Sequence, residues 1–407
     1  MLIGSTSGGL MRRHTRRWPA AIHHDGREYL TTAQAARVLG VRPATLYAYV
    51  SRGQLTSVRI DGLRGSLFAV AEIEAFARRT ERRPPAGVVE RIRTELTLLE
   101  RDELYYRGRR AVDLAWQMDV TEVAGLLWDS PWPETRWGAP EVTAAPRGVD
   151  TIRAVVDALG ANDALRHDTA RAVVGAAAAR IIDTVVEVLP LRGPAPPDDG
   201  TLARRLWPRL SPMAGTPTRV AMLNAALILL ADHDLSSGAV AARVAASARG
   251  SIYAVVSAGL GAFDGPLHGG AAQAAQDFLR ELHRSTGDPA AAVSASIRIP
   301  GCGHVVYRDH DPRAEALFSA LEEEGIPAGL RAVLDAVHAE ATRRSLPVTS
   351  DLALAALAVR YRMGDDAAMT MFALARIVGW VAHALEEYAE TPLRFRPEGV
   401  YVGVRPS

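Results

Sequence analysis

A glycine-rich stretch of this chain reads GPLHGGA over residues 265–271, and it places one histidine, His268, between glycines. A second stretch reads GCGHVVYRDHDPR over residues 301–313, and it carries His304 and Arg313. Glycine lets the backbone approach a ligand closely, and an imidazole can exchange protons near neutral pH. Two such turns, 36 residues apart, indicate a site of chemistry rather than packing alone.

The composition narrows the classes of protein and of mechanism. The chain has 407 residues, of which 48% are hydrophobic, as is typical of a globular protein with two or three domains. All 47 basic residues are arginine, so a lysine Schiff base or a lysine general base is excluded. The single cysteine, Cys302, excludes an internal disulfide and a CxxC metal site, and it fits a reducing cytoplasm.

Cys302 and the apolar stretches bear on two further properties, a cysteine nucleophile and a membrane or secretory segment. Cys302 lies close to His304, where it is either half of a Cys/His nucleophile pair or a small residue that fills a glycine turn. The longest apolar run, Val220 to Ala231, is too short to cross a bilayer, and no apolar segment of a signal peptide follows the N-terminal arginines. We therefore expect a cytoplasmic protein with no membrane partner.

Charge is distributed unevenly along the chain. Residues 1–83 contain 14 arginines and 6 acidic residues, whereas the remainder contains 33 arginines and 40 acidic residues. A head with charge +8 on a body with charge −7 indicates two functional surfaces.

The N-terminal pattern predicts a small DNA-binding-like module after a basic flexible arm of residues 1–26. A capping box at Thr31 to Gln34 opens one helix, and Pro43 lies in the first turn of a second. Residues 58–70, with a turn at Asp61-Gly62, predict a two-stranded wing, and residues 71–79 a third helix. The predicted module is a winged helix-turn-helix over residues 27–83, followed by a linker.

This module resembles the helix-turn-helix of the MerR and excisionase-like families over residues 29–53. The resemblance implies that the second helix enters the major groove of DNA. The DNA-facing residues that it implies are Arg42, Thr45, Tyr47 and Arg52. The alternative is a helical docking module that does not contact DNA.

From residue 88 onward the periodicity is almost wholly helical. The predicted helices span 110–128, 150–188, 218–231, 238–259, 269–286, 313–324, 328–343, 351–362 and 366–389. The predicted fold class is therefore all-α, with the histidines in turns between helices. Taken alone, His233 could end a helix and Asp351 could cap one. Arg376 lies on an apolar helix face, where its charge requires an anion.

The body resembles the citrate synthase family over nearly all of residues 88–407. Besides the two histidine turns, the segments that carry the resemblance are YRG and DLA at 106–115, ADHDL at 231–235, a late helix at 372–383, and a C-terminal tail with Arg396. The resemblance implies a large domain of residues 84–264 and 351–407 and a small domain of residues 265–350. It also implies a homodimer with shared active sites.

The family condenses acetyl-CoA with oxaloacetate, and the resemblance assigns the roles. His268, His304 and Asp351 would be catalytic, with Asp351 as the base that removes the methyl proton. The residues that would bind oxaloacetate are His233, Arg313, Arg376 and Arg396, the last from the neighbouring subunit. Arg308 would contact CoA phosphates, and neither a cofactor nor a metal is implied.

The sequence leaves two alternatives open. The first is 2-methylcitrate synthase, which uses propionyl-CoA, because one methylene changes binding by only about 1–3 kcal/mol. The second is a DNA-binding regulator whose body senses metabolites without turnover. Segments 346–351 and 236–239 depart from the family pattern around Asp351 and His233, which keeps the second alternative open.

Overall fold

The computed structural model describes residues 21–39, 41–60, 63, 65–80, 92–134, 141–195 and 200–395. Internal contacts divide the chain into two units, Met1–Arg91 and Ile92–Ser407. The predicted arm and linker lie largely outside the described residues, and so does Arg396.

The first unit contains three strands and three helices. They are β1 (Ile22–His24), β2 (Arg27–Thr31), α1 (Thr32–Leu39), α2 (Pro43–Ser51), β3 (Leu67–Ala69) and α3 (Val70–Thr80). The strands form one antiparallel sheet in the order β1-β2-β3, with Ile22 opposite Tyr29 and Leu30 opposite Phe68. Leu30, Leu46 and Phe68 are fully buried between the sheet and the helices.

The helix starts follow the sequence. Thr31 N donates to Gln34 Oε1 at 2.8 Å and Gln34 N donates to Thr31 Oγ1 at 3.3 Å, which confirms the predicted capping box. Arg42 precedes α2 without a side-chain cap, and Pro43 begins the helix. A proline at the first helical position loses no hydrogen bond, so it starts α2 without a cap.

Two details of the predicted module are wrong. Strand β1 pairs with β2, so residues 22–24 belong to the sheet rather than to a flexible arm. The predicted wing is reduced, because Val58 and Leu67 form an isolated bridge and β3 pairs instead with β2. Leu67 and Phe68 are apolar and buried, and pairing with β2 covers both.

The second unit is mostly helical, as predicted. It begins with a small antiparallel sheet of β4 (Thr97–Glu100), β5 (Glu103–Tyr106) and β6 (Arg109–Arg110). The helices that follow are α4 (Ala111–Gln117), α5 (Val120–Trp128), α6 (Gly148–Asn162), α7 (Arg171–Val188), α8 (Leu202–Leu210), α9 (Pro217–Leu229), α10 (Ser237–Ser247), α11 (Ile252–Phe263), α12 (Gly269–Arg284), α13 (Pro289–Ala295), α14 (Pro312–Glu324), α15 (Ala328–Arg343), α16 (Ser350–Arg360) and α17 (Ala367–Ala389).

Three predicted helices were too long, and some elements were missed. The stretches 110–128, 150–188 and 238–259 each contain a break, at Met118-Asp119, at residues 163–170 and at residues 248–251. At the first break, Asp119 forms a capping box with Glu122 and restarts the chain as α5. Sheet β4–β6 and helices α8 and α13 were not predicted, because short elements give weak periodicity.

Helix α17 lies at the centre of the body. It packs against α5, α6, α7, α9, α10, α11, α12 and α16. Every residue from Ala367 to Leu385 is buried. The helix is long and apolar enough to cross a membrane, but burial on all sides identifies it as a core helix.

One glycine of α17 permits a close approach of the chain. Gly379 N donates to Ala231 O at 3.0 Å, and a Cβ at Gly379 would lie 2.4 Å from that oxygen and from Asp232 Oδ1. No side chain fits there, so the segment 231–232 can lie directly on α17.

We predict that Gly379→Ala destabilises the protein by about 1–3 kcal/mol or more, because the added methyl overlaps a backbone carbonyl. Thermal unfolding measures the effect. Gly261→Ala on α11 is the matched control: its Cβ meets nothing within 4 Å, and alanine there should stabilise the helix by up to about 1 kcal/mol. Equal melting temperatures for the two variants would contradict the close approach.

Candidate functional site

His268 lies immediately before α12, at the end of the first glycine-rich turn. Its ring contacts Phe263 and Phe372, with ring centroids 5.2 Å and 5.7 Å apart. Nε2 is buried and has no hydrogen-bond partner within the described part of the chain. Burial, with a smaller effect of Arg376, lowers the pKa of His268 to about 4, so the imidazole is neutral at pH 7.

His304 is held in one tautomer by its own turn. Its Nδ1 accepts hydrogen bonds from Val306 N at 3.0 Å and Tyr307 N at 3.3 Å. Burial and then Arg313 lower the pKa of His304, which favours the neutral ring. The single proton therefore lies on Nε2, which makes His304 a hydrogen-bond donor on its other side.

The His304 turn is bound to the segment that leads into α16. Gly303 N donates to Pro347 O at 2.7 Å, and Thr349 N donates to Gly301 O at 3.0 Å. Gly301 has φ +81°, and a Cβ there would lie 2.8 Å from Leu352, so only glycine fits. His304 and the start of α16 are thereby fixed relative to each other.

Asp351 lies in the first turn of α16 and is half-buried. The helix begins at Ser350 and Thr349 occupies the cap position, so the reading of Asp351 as a cap residue is wrong. Burial raises the pKa of Asp351 to about 6, against the lowering effect of Arg313. Arg376 also lowers this pKa, and the same cation affects His268 and His304. The charge of Arg376 thus acts on Asp351 and on both histidines.

Arg313 is buried and paired. Its Nε and Nη2 donate to the two oxygens of Asp311 at 2.9 Å and 2.8 Å. Burial disfavours the charged guanidinium, but the Asp311 carboxylate outweighs burial and raises the pKa of Arg313. Asp311 also accepts a hydrogen bond from Ser350 N at 2.9 Å. One carboxylate therefore fixes both Arg313 and the helix that carries Asp351, a role that the sequence analysis missed.

Arg376 is buried on α17 and lacks a counter-ion in hydrogen-bond contact. Its Nε and Nη1 have no hydrogen-bond partner among the described residues, and its guanidinium lies over the Phe372 ring at 4.9 Å. Burial lowers the pKa of Arg376, and Asp232 opposes that shift. A buried guanidinium with free donors favours an anionic ligand, as the sequence predicts.

His233 is buried beside the His304 turn. Its Nε2 lies 3.1 Å from the hydroxyl of Tyr307, and its ring centroid lies 5.3 Å from that of His304. Burial, followed by the charges of Arg313 and Arg376, lowers the pKa of His233 well below its usual value. Burial raises the pKa of Tyr307 to about 12, so this hydroxyl keeps its proton. Tyr307 joins His233, His304 and Arg313 in one cluster, although the sequence analysis gave it no role.

Arg308 and Cys302, the other candidate residues of this turn, lack the buried, charged surroundings of the residues above. Arg308 is exposed on the turn before α14. Burial raises the pKa of Cys302 to about 12, so its thiol stays protonated and a thiolate nucleophile is disfavoured. No group of three or more metal-ligating side chains occurs within the described residues.

The predicted DNA-facing residues lie on or beside α2. Arg42, Tyr47 and Arg52 are exposed, and Thr45 is half-buried. The Tyr47 hydroxyl lies 3.2 Å from Thr32 Oγ1, which ties α2 to the start of α1. The exposed face of α2 therefore carries an aromatic side chain between two arginines.

The candidate site in the second unit thus combines three imidazoles with a lowered pKa (His233, His268 and His304), the Asp351 carboxyl group with a raised pKa, and the buried guanidinium groups of Arg313 and Arg376. Neutral imidazoles and guanidinium groups can donate hydrogen bonds to oxygen atoms that gain negative charge. A carboxylate with a pKa of about 6 is poised to accept a proton near neutral pH. This arrangement suits proton abstraction next to a carbonyl group of an anionic substrate.

The sequence of the second unit matches the model of a known family. The model of the citrate synthase C-terminal domain matches residues 87–398, which is more than half of the chain. The chain belongs to the citrate synthase family. A helix-turn-helix domain model matches residues 29–81, in agreement with the predicted module.

Relatives of this citrate synthase family member include enzymes with two different names. Citrate synthase 2 of Bacillus subtilis is 32% identical over 51% of this chain and 58% of its own length. The 2-methylcitrate synthase of Mycobacterium tuberculosis is 28% identical over 74% of this chain and 85% of its own length. The chain thus spans little more than half of some curated relatives that it matches.

Solved structures show the same fold. The citrate synthase of Thermotoga maritima is 23% identical with a TM-score of 0.64, and the match covers 78% of this chain and 95% of that one. The citrate synthase of Pyrobaculum aerophilum is 26% identical with a TM-score of 0.60, over 78% and 92%.

We predict that Asp311→Asn destabilises this family member by about 3–5 kcal/mol, because buried Arg313 loses its counter-charge. Urea unfolding measures the change. Glu322→Gln is the control, since Glu322 and its partner Arg331 form an exposed pair, which should be worth no more than about 1 kcal/mol. A wild-type midpoint for Asp311→Asn would show that Arg313 does not depend on this carboxylate.

Proposed function

We propose that this chain condenses acetyl-CoA with oxaloacetate and water to give citrate and CoA. The observation that carries the proposal is the buried guanidinium of Arg376, whose Nε and Nη1 have no hydrogen-bond partner among the described residues and whose charge acts on Asp351, His268 and His304. An enzyme that binds a dicarboxylate and then removes a weakly acidic proton needs these groups together.

In the proposed reaction the Asp351 carboxylate takes a proton from the methyl group of acetyl-CoA. Neutral His268 donates a hydrogen bond to the thioester oxygen as the enol forms, since a neutral imidazole can stabilise that oxygen. The enol carbon attacks the ketone of oxaloacetate, to which His304 Nε2 donates, and a C–C bond forms. The thioester C=O is restored, and the former ketone oxygen takes up one proton, which balances the proton that Asp351 removed. Water then cleaves the thioester, and CoA leaves as the free thiol.

The proposed binding residues hold the two carboxylates of oxaloacetate. Arg376 offers the free donors Nε and Nη1, whereas Asp311 occupies Nε and Nη2 of Arg313 and leaves its Nη1 outside that pair. His233 contacts the Tyr307 hydroxyl, and the Arg313 guanidinium lies over the Tyr307 ring at 4.9 Å. Arg396 of a second copy in a homodimer would complete the site. Arg308, which is exposed, would meet the phosphates of CoA.

A second candidate substrate is propionyl-CoA, which would give 2-methylcitrate. The match to a 2-methylcitrate synthase over 85% of that protein's length favours it. One additional methylene changes binding by only about 1–3 kcal/mol, so small differences in the acyl pocket decide between the two.

We predict that the wild-type protein releases free thiol from acetyl-CoA or propionyl-CoA when oxaloacetate is present. Asp351→Asn should lower kcat by about 10²–10⁴-fold, because the amide cannot accept the methyl proton. A thiol reagent follows the reaction, and calorimetry follows oxaloacetate binding, which Asp351→Asn should retain. Binding without thiol release in the wild type would favour a metabolite sensor over an enzyme.

The pH profile is a control for the identity of the base. Asp351 acts only when it is ionised, so kcat/KM should fall as the pH falls through about 6. His268, with a pKa of about 4, stays neutral over that range. An acid limb well below pH 5 would contradict the role of Asp351.

We also propose that the N-terminal module binds DNA. Exposed Tyr47 on α2 and exposed Arg42 and Arg52 at its two ends support this proposal, as does the charge of +8 over residues 1–83. Arginines that meet phosphates release counter-ions, which makes binding weaken as salt rises. The alternative is a module that docks onto protein instead.

We predict that the full chain binds duplex DNA fragments at low salt and that the double variant Arg42→Ala and Arg52→Ala binds more weakly. Each lost phosphate contact should reduce the slope of log affinity against log salt by about 1. Fluorescence anisotropy over a salt series measures both values. Arg284→Ala, an exposed arginine at the end of α12, is the control. Equal slopes for all three proteins would contradict DNA contact through α2.

A further inference from the structure

Behind the candidate site lies a row of buried ionic side chains that the proposed reaction does not use. Asp232, His383 and Arg243 have side chains that are 0% exposed. Asp232 precedes His233 in the chain, and His383 lies on α17 with Arg376. Burying three such groups is costly unless each is paired, so their arrangement requires an explanation.

Asp232 is fixed from several sides. Its Oδ2 accepts a hydrogen bond from the Thr97 hydroxyl, and its Oδ1 lies 3.3 Å from His383 Nε2. Its backbone is also held, because the Tyr106 hydroxyl donates to Asp232 O at 3.0 Å. Burial opposes ionisation, but His383 and then Arg376 and Thr97 outweigh it and lower the pKa of Asp232. Asp232 is therefore a resident carboxylate charge within the core.

His383 is oriented by Arg243. Arg243 Nε donates to His383 Nδ1 at 3.0 Å, so Nδ1 is an acceptor and a ring proton lies on Nε2, the nitrogen that is 3.3 Å from Asp232 Oδ1. The remaining nitrogens of Arg243 pair with Glu386 and with Glu387, which lies 3.2 Å away. Because both ends of Arg243 are engaged, its guanidinium holds the imidazole in this one orientation.

The row meets the candidate site at Arg376. Arg376 and His383 are seven residues apart on α17, which places them on the same face of the helix. Gly379 lies between them, and segment 231–232 passes directly over it. The Asp232 carboxylate therefore lies against the face that carries both side chains, and its charge opposes the effect of burial on Arg376.

We propose that Asp232, His383 and Arg243 are positioning residues for the oxaloacetate pocket. Asp232 is the counter-ion of Arg376 and anchors the chain at His233, and His383 keeps its carboxylate in place. Neither His383 nor Arg243 touches the substrate. The inference rests on the proposed function, and it adds to it a set of residues that control oxaloacetate binding rather than the chemical step.

The test compares two substitutions at His383. The terminal amide of His383→Gln reaches the place of Nε2 and still offers a donor to Asp232. The shorter amide of His383→Asn occupies the place of Nδ1, so it keeps a partner for Arg243 and loses the donor. We expect His383→Asn to raise KM for oxaloacetate by about tenfold or more, the usual weight of a lost contact to a buried charge. His383→Gln should stay within about threefold of the wild type.

The readouts separate positioning from a merely structural role. KM for acetyl-CoA and kcat should change by less than about threefold in both variants, since neither contact touches the acyl group. Calorimetric binding of oxaloacetate should follow the KM values. General destabilisation would instead lower the melting temperature and the active fraction without a selective change in KM for oxaloacetate.

The pH dependence of oxaloacetate binding, measured by calorimetry, gives an independent readout that does not involve Asp351. His383 is the largest influence that lowers the pKa of Asp232 against burial, so oxaloacetate binding by His383→Asn should weaken at a higher pH than binding by the wild type. The calorimetric profile of His383→Gln, which keeps a donor but carries no charge, should lie between those of the wild type and His383→Asn. The titratable and charged groups that face Asp232 or the row behind it are Tyr106, His233, Arg243, Arg376, His383, Glu386 and Glu387.

Thr97→Val keeps the inference testable if His383→Asn fails to fold. It removes the other bond to Asp232 and should also raise KM for oxaloacetate selectively. Thr184→Val is the matched control, because Thr184 is buried on α7. Equal KM values for oxaloacetate in the Gln, Asn and wild-type proteins would overturn the inference while leaving the proposed function intact. A wild-type protein that neither binds oxaloacetate nor releases thiol would contradict both.

Discussion

The body of this protein is organised around a positive charge enclosed in its central helix. Arg376 lies on α17, where every residue from Ala367 to Leu385 is buried, and two of its nitrogens lack a hydrogen-bond partner within the described structure. A guanidinium in that position is costly unless its surroundings compensate it. Asp232 supplies a nearby negative charge, and the Phe372 ring supplies a polarisable face. The Nε and Nη1 donors of Arg376 remain for a ligand. The same buried position therefore affects both the packing of the core and the capacity to bind an anion.

A second carboxylate, Asp311, compensates the charge of the other buried arginine of the site, Arg313. Asp311 binds the guanidinium of Arg313 and the backbone of Ser350, so one side chain sets an arginine and the helix that carries Asp351. Backbone bonds between the His304 turn and residues 347–349 complete the frame. Burial shifts the pKa values of a carboxyl group and an imidazole in opposite directions: it raises the pKa of Asp351 to about 6 and lowers that of His268 to about 4. Separation of this kind assigns different roles to groups within one site.

Membership of the citrate synthase family explains why these groups occur together, but it leaves the substrate at the level of a class. Relatives named citrate synthase and 2-methylcitrate synthase match this chain at 32% and 28% identity. The products in these two names differ by one methyl group, which corresponds to one methylene in the acyl chain. A binding pocket discriminates weakly between acyl groups that differ so little. The fused helix-turn-helix is a separate unit with its own apolar core around Leu30, Leu46 and Phe68. The proposed condensation by the second unit and the proposed DNA binding by the first unit can therefore be tested independently.

The sequence alone determined whatever depends on neighbouring residues. The Thr31–Gln34 capping box, the proline that starts α2, most of the helices and the two histidine turns follow from local chemistry, although three helices predicted as continuous are each divided in two. The resemblance supplied the set of site residues, whereas the short sheet β4–β6 gave too little periodicity to be seen. Tertiary contacts alone set the hydrogen bond from Ser350 N to Asp311, the contact of Tyr307 with His233, and the row of Asp232, His383 and Arg243 behind Arg376. Burial and charge act through space, and the groups that they couple here lie far apart in the sequence: 39 residues for Ser350 and Asp311, 74 for Tyr307 and His233, and 140 for Arg243 and His383.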